Sequence, residues 1–100
     1  MYDMKNIRKL GNFEKLAGDA WKGFVEFDKA AMADGAIPAK TKELIAIAVA
    51  MTTQCPYCIE IHAKKAQAAG CTQEEIAEAI MVAAALRAGA AVTHGTHALD

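Results

Sequence analysis

Two cysteines three positions apart, with a histidine four positions further on and a glutamate upstream, are the residues of this chain best suited to chemistry. They are Cys55, Cys58, His62 and Glu43, and the segment between the cysteines reads Pro-Tyr. Two thiols at this spacing at the start of a helix can close a disulfide with each other. His62 lies one helical turn beyond Cys58, so its ring shares that face and can exchange a proton with the thiol. The pattern predicts thiol redox chemistry.

The reactive form of a cysteine is the thiolate, and two features of this motif favour it. Both sulfurs lie in the first turn of a predicted helix, where unpaired N–H groups and the helix dipole favour negative charge. His62 adds a base one turn from Cys58 and two turns from Cys55. This spacing favours Cys58 as the attacking thiolate and Cys55 as the resolving thiol. The thioredoxin order, in which the first cysteine attacks, stays open.

Glu43 completes a predicted proton relay. If the second and third predicted helices form a hairpin that turns near Gln54, Glu43 lies about 16 Å before the turn and His62 about 10 Å beyond the first cysteine, at ~1.5 Å per residue. The two side chains are then about 6 Å apart along the hairpin axis, within reach of each other or of a bridging water. Glu43 would orient the imidazole, and the imidazole would deprotonate Cys58.

Helices alone are predicted to position these residues, because β-branched residues are sparse and no run alternates with period two. The expected helices span about 12–32, 38–52, 55–69 and 72–86, and the last one resumes or continues beyond Gly89. Pro38 is expected at a first helical position, and Thr72 with Glu75 forms a predicted capping box. The second helix is apolar on every side over 44–51, so it should be central and covered all round.

Composition narrows the class of protein. The chain has 100 residues and a net charge of −1, so one domain over residues 1–100 is expected. Interspersed charges predict no nucleic-acid partner and no membrane partner. The longest uninterrupted apolar runs, 44–51 and 79–86, are far too short to cross a bilayer. The N-terminal residues lack the pattern of a signal peptide, and a cytoplasmic location is expected.

The apolar content predicts self-association. Hydrophobic residues make up 54% of the chain, and many of them are alanine. A domain of this size cannot bury so much apolar surface alone, and alanine-rich helices pack closely. A helix-mediated homo-oligomer is therefore expected, with a loosely packed monomer as the alternative.

Four further residues have simpler interpretations. Cys71 is expected to be a half-buried cysteine without a chemical role, since a lone cysteine is commonly a packing residue. Trp21, Phe24 and Phe27 are expected in the core or in an interface, and the alternative is that they line an apolar pocket for an organic peroxide.

The chain resembles the carboxymuconolactone decarboxylase superfamily, and within it the alkyl hydroperoxidase D-like branch that carries a Cys-x-x-Cys pair. The pattern Glu-x11-Cys-x2-Cys-x3-His is matched without a gap, and the similarity covers roughly residues 24–86. The matching segments are Lys42-Glu43-Leu44-Ile45, then Cys55 to His62, then Gly70 and the helix start at Thr72 to Ile76.

This resemblance implies an all-α, alkyl hydroperoxidase D-like helical bundle and a thiol-dependent peroxidase or thiol–disulfide oxidoreductase that needs no cofactor. Cys58 would be the peroxidatic thiol, Cys55 would close the disulfide with it, and Glu43 with His62 would relay the proton. The resemblance also implies trimers or hexamers, a small hydroperoxide as substrate and an external dithiol as reductant. The well-studied peroxidase has a histidine just before its second cysteine, where this chain has Tyr57.

Two other functions fit parts of the pattern. Decarboxylases of the superfamily generally lack the cysteine pair, and a cofactor-free γ-carboxymuconolactone decarboxylase would use Glu43 and His62 as its acid–base pair. A zinc-stabilised helical assembly module would instead bind the metal through Cys55 and Cys58 together with His94 and His97. Otherwise one of these C-terminal histidines is expected near the active-site cleft or a subunit contact, and the other in solvent.

Overall fold

The chain is helical almost throughout residues 2–100, the part that the computed structural model describes. In chain order the elements are an N-terminal 3-10 helix (Met4–Asn12), α1 (Phe13–Leu16), α2 (Gly18–Met32), α3 (Ala39–Thr53), α4 (Pro56–Ala68), α5 (Gln73–Gly95) and a 3-10 turn (Thr96–Ala98). Residues 2–100 contain no strand, and the all-α prediction is confirmed. The expected domain, residues 1–100, begins at Met1, which lies outside the described residues.

α3 is the centre of the fold because it packs against both α4 and α5. Its Ile47 is almost fully buried, and it meets Ala66 of α4 and Cys71 of the following turn in one small core. Half-buried apolar side chains surround this core: Leu44, Met51, Ile76 and Ile80. Cys71 is therefore more buried than predicted, and its thiol also faces the backbone carbonyl oxygen of Lys40 at 3.6 Å.

The hairpin of α3 and α4 turns where the sequence predicts it. α3 ends at Thr53, its C-cap Gln54 adopts the left-handed conformation (φ 54°, ψ 49°), and Cys55 then caps α4 in an extended conformation. Pro38 caps α3 and is not its first helical residue, because its ψ of 149° is extended. The free N–H of Ala39 is satisfied instead by the Asp34 carboxylate at 2.7 Å.

The single helix predicted over 12–32 is wrong in its first part. Ala17 leaves the helical conformation (φ −131°, ψ 10°), and Gly18 has a positive φ of 32°, which ends α1 and starts α2. Before α1, the residues Met4–Asn12 form a 3-10 helix that the sequence did not predict. The side chains of Phe13 and Trp21 stack across the break with ring centroids 5.3 Å apart, so aromatic side chains of α1 and α2 stay in contact although the helix is interrupted.

The prediction that α3 is covered on every side is also wrong within one chain. Ile47 and Ala50 are buried, but Ile45 is 46% exposed and Val49 is 53% exposed. α4 and α5 cover one side of α3, and α2 has few contacts with it, so the face of Ile45 and Val49 stays open.

α5 continues past Gly89, which is one of the two outcomes predicted, and it is largely uncovered. It runs through Gly89 without interruption, and of its residues only Ala83 is buried. The radius of gyration of the chain is 16.6 Å, against about 13 Å for a compact domain of this size. With the turn that follows, the helix over 73–98 is long and apolar enough to cross a membrane by length and composition alone. The absence of a membrane partner and the cytoplasmic location stay predictions.

The start of α5 is stabilised by the predicted capping box. The Glu75 N–H donates to the Thr72 hydroxyl at 3.1 Å, and the Thr72 N–H donates to the Glu75 carboxylate at 2.8 Å. The hydrogen bond from the Thr72 backbone, with help from Lys40, lowers the pKa of the Glu75 carboxyl from 4.5. Its contribution to stability is therefore present above the unfolded-state pKa and is lost as pH falls through the lowered folded-state pKa.

Replacing Thr72 should weaken this helix start. We expect Thr72→Ala to lower the free energy of unfolding at pH 7 by about 1 kcal/mol, because the cap to the Glu75 N–H is lost. Urea unfolding followed by circular dichroism at fixed protein concentration measures the change. Thr72→Ser keeps a capping hydroxyl and should stay close to the wild-type protein. An equal loss in both variants would show that the threonine methyl group, and not the cap, matters.

Candidate active site

The two cysteines lie at the N-terminus of α4 and are joined in a disulfide. Their Cα atoms are 5.3 Å apart, within the usual range for a disulfide. Pro56 is the first residue of α4 and fits there because this position needs no N–H donor. The Cys55 sulfur acts as the N-cap and accepts the Cys58 N–H at 3.2 Å. A sulfur in this place is stabilised as an anion by the free N–H groups of the first turn.

The structure brings Glu43 and His62 into direct contact. Glu43 on α3 and His62 on α4 meet across the hairpin, with 2.8 Å between the carboxylate Oε2 and the ring Nδ1. Their side chains are only 12% and 19% exposed, so water screens the pair weakly. An ionised carboxylate can only accept, so Nδ1 carries the shared proton and the Nε2 of a neutral ring is left as an acceptor. His62 can therefore take a proton at Nε2 from a nearby acid.

Two cavities open onto the cysteines. The smaller one, about 430 Å³, lies along the open face of α3 and is lined by Cys58 and His62 among apolar residues. The larger one, about 600 Å³, is lined by both cysteines and by His62. Cys58 and His62 thus share both cavities, whereas Cys55 borders only the larger one. Small molecules can approach Cys58 from two sides.

Part of the wall of the larger cavity comes from N-terminal residues that no sequence pattern connects with the site. Asn6, Ile7 and Leu10 of the N-terminal 3-10 helix line it, as do Trp21 and Phe24 of α2. No sequence motif marks the N-terminal residues, so only their packing identifies them. The alternative interpretation of Trp21 and Phe24 as pocket residues agrees with this placement, whereas Phe27 is 71% exposed and lies outside the cavity.

The proposed zinc ligands are not brought together. Within residues 2–100, no group of three or more His, Cys, Asp or Glu side chains could hold a metal ion. His94 and His97 instead contact each other at the far end of α5, with ring centroids 5.1 Å apart, and both are exposed. Neither histidine lines a cavity that contains Cys58.

Removing the Glu43 carboxylate should slow the chemistry of the reduced Cys58. In a Cys55→Ser background, we expect Glu43→Gln to slow alkylation of Cys58 by iodoacetamide at pH 7 about tenfold. A neutral amide accepts a hydrogen bond from the His62 Nδ1–H more weakly than a carboxylate does. The imidazolium that forms when His62 takes the Cys58 proton is then less stable, so less thiolate is present. Mass spectrometry of timed samples gives the rate. Glu60→Gln is the matched control, because the Glu60 carboxylate pairs with the exposed Lys64 at 3.0 Å on the same helix. Equal rates for all three proteins would contradict the proposed relay.

Comparisons with known proteins agree with this geometry. The chain is 49% identical over 90 residues to "uncharacterized protein 4 in cox locus" of Paracoccus denitrificans, covering 90% of this chain and 81% of that protein. It is 33% identical to an uncharacterized protein of Cupriavidus necator over 90% of this chain and 77% of the other.

A solved structure shares the fold. The crystal structure of the apo form of a carboxymuconolactone decarboxylase family protein from Legionella pneumophila superimposes with a TM-score of 0.78. The two sequences are 38% identical, over 83% of this chain and 75% of that one. The sequence model of the carboxymuconolactone decarboxylase family matches residues 18–100. This chain belongs to the carboxymuconolactone decarboxylase family.

Proposed function

We propose that this protein is a thiol-dependent peroxidase that reduces small hydroperoxides through Cys58 and Cys55. The observation that carries the proposal is the placement of the bonded cysteine pair beside the Glu43–His62 hydrogen bond, at the junction of two cavities. A decarboxylase would need an acid and a base but neither of the two cysteine sulfurs. A peroxidase needs a sulfur to attack, a sulfur to trap the product and a group that moves protons.

In the first step His62 takes the Cys58 proton at Nε2, and the resulting thiolate attacks the hydroperoxide. The sulfur bonds to the terminal oxygen, the O–O bond breaks, and the departing alkoxide receives the proton from His62. The products are a sulfenic acid on Cys58 and an alcohol. Glu43 stabilises the imidazolium that forms between the two proton transfers, because its carboxylate accepts the Nδ1 proton.

In the second step Cys55 attacks the sulfenic sulfur. A disulfide forms, and the hydroxyl leaves as water with the Cys55 proton. In the bonded state the Cα separation is 5.3 Å, which lies within the usual range for a disulfide.

An external dithiol then restores the enzyme. One of its sulfurs attacks Cys55, which borders the larger cavity, and expels Cys58 as a thiolate. The second sulfur of the dithiol attacks the mixed disulfide, which releases Cys55 and converts the dithiol to its own disulfide. Two electrons thus pass from the dithiol to the hydroperoxide in each cycle.

The reverse order of the two cysteines has one observation in its favour. The Cys55 sulfur accepts the Cys58 N–H, and a hydrogen bond from a backbone N–H stabilises a thiolate. Cys58 is one helical turn from His62 in sequence, however, and it lines both cavities together with His62. We therefore assign the attack to Cys58, and assays of the single cysteine variants distinguish the two possible roles of the cysteines.

The decisive experiment is a peroxidase assay on single cysteine variants with a dithiol as electron donor. We expect Cys58→Ser to reduce turnover at least a thousandfold, because a hydroxyl is far less ionised than a thiol at neutral pH. In the absence of the dithiol, the reduced Cys55→Ser variant should consume one equivalent of hydroperoxide and leave a sulfenic acid on Cys58, which dimedone labels and mass spectrometry locates. Cys71→Ala, in the core and away from both cavities, is the control and should keep its activity.

Two results would contradict the assignment. A sulfenic acid on Cys55 in the Cys58→Ser variant would reverse the order of the cysteines. Decarboxylation of γ-carboxymuconolactone that survives Cys58→Ser but not His62→Ala, with no peroxidase activity in the wild-type protein, would establish the decarboxylase instead.

We also propose that the protein works as a homo-oligomer, a trimer or a hexamer, with α5 in the interface. Large apolar side chains are exposed along this helix: Met81 (66%), Val82 (58%), Leu86 (69%) and Val92 (76%). Together with the exposed face of α3, they form more apolar surface than a monomer commonly leaves in water. A second copy of the same helix is a suitable cover because it carries the same alanine-rich face.

A charge on this surface should disrupt the assembly. We expect Leu86→Glu to shift the protein toward the monomer and to raise the dissociation constant at least tenfold, because a buried leucine contributes about 1.5–3 kcal/mol. Sedimentation velocity at several concentrations measures the change. Gln67→Glu, on the exposed side of α4, is the control. A wild-type protein that stays monomeric in buffer but sediments with neutral lipid vesicles would assign the surface to a membrane.

A further inference from the structure

Tyr57, the residue between the cysteines, holds the N-terminal segment of the chain against the site. Its hydroxyl oxygen accepts the Asn6 side-chain amide at 3.3 Å and the Asp3 N–H at 3.4 Å. The edge of the Tyr57 ring meets the ring of Tyr2, with centroids 5.6 Å apart and planes at 72°. Three residues of the segment thus meet on one side chain that is more than fifty positions away in sequence.

The segment has few other attachments to the rest of the chain. Over residues 2–12 only Asn6 and Ile7 are half-buried, and the others are exposed. The 3-10 helix that they belong to packs against α4, the helix that carries Tyr57. The hydroxyl of Tyr57 is therefore the polar anchor of a segment that would otherwise have little to hold it in place.

What this anchor holds in place is one wall of the larger cavity. Ile7 and Leu10 line the cavity from the segment, together with Trp21, Phe24 and Val25 of α2 and both cysteines. Hydrogen peroxide occupies little more room than a water molecule, about 30 Å³ in the liquid. A cavity of about 600 Å³ is many times larger, and a volume of this size suits a ligand of a dozen or more heavy atoms.

We propose that Tyr57 is a positioning residue that determines substrate selectivity: by anchoring residues 2–10 it completes an apolar pocket beside Cys58 that favours bulky apolar hydroperoxides over hydrogen peroxide. This inference rests on the proposed peroxidase function. The gain for an apolar hydroperoxide comes from burying its organic group against Leu10, Trp21 and Phe24, since burial of apolar surface is favourable in proportion to its area. Hydrogen peroxide has no such group and gains nothing from the wall.

The kinetic test compares Tyr57→Phe with the wild-type protein on two substrates, cumene hydroperoxide and hydrogen peroxide. The variant keeps the ring and its contact with Tyr2 but loses both hydrogen bonds, so the segment is released and the wall opens. We expect the ratio of kcat/KM for cumene hydroperoxide to that for hydrogen peroxide to fall about tenfold, through KM for the apolar substrate and not through its kcat. Asn6→Ala should lower the same ratio. Tyr2→Phe, which removes a hydroxyl from the same segment but keeps the ring contact, is the matched control.

A binding test separates this inference from the peroxidase function. Trp21 is the only tryptophan of the chain and lines the cavity, so its fluorescence reports occupancy. Cumyl alcohol, the product of cumene hydroperoxide reduction, does not react further and is titrated into the oxidised protein; we expect Tyr57→Phe to weaken its binding about tenfold while Tyr2→Phe does not. Equal binding by all three proteins, or an unchanged substrate ratio in Tyr57→Phe, would overturn the proposal. Absence of any peroxidase turnover together with weaker alcohol binding in Tyr57→Phe would refute the peroxidase and leave the anchored pocket supported.

Discussion

The hydrogen bond between Glu43 and His62 is the interaction on which the rest of the site depends. It joins residues on different helices, and it forms only because the turn at Gln54 folds α4 back along α3 in the right register. A shift by one residue on either helix would rotate one of the two side chains by about 100° away from the other. The small core of Ile47, Ala66 and Cys71 lies between the same elements and keeps that register. The α3–α4 hairpin therefore both contributes to the core and positions the side chains of the candidate site.

The two cysteines occupy different environments although they are neighbours on one helix. Cys55 caps the helix and receives a backbone hydrogen bond, whereas Cys58 lines both cavities together with His62. Such a division suits a pair in which one sulfur attacks and the other resolves, because the two tasks need different access and different proton donors. Tyr57 adds a third element, since it couples the motif to the N-terminal segment.

The isolated chain leaves a large part of its apolar surface uncovered. α3, the most buried helix, is open on the side of Ile45 and Val49, and α5 has one buried residue in its whole length. The proposed oligomer would account for a high apolar content beside a small core, because other copies would supply the missing neighbours. The stability of the fold would then depend on protein concentration.

The sequence by itself determined the helical class, the hairpin turn, the capping box at Thr72 and the proximity of Glu43 to His62. These follow from local rules, namely capping preferences, the helical repeat and the rise per residue, which act over a few turns of one chain. Only the tertiary structure decided the break at Gly18, the open face of α3 and the contact of Tyr57 with Asp3 and Asn6. Those features depend on packing between distant segments, where side-chain fit and not local preference selects the conformation. No helical spacing or capping rule relates residue 6 to residue 57, so only the folded structure identifies the wall of the larger cavity.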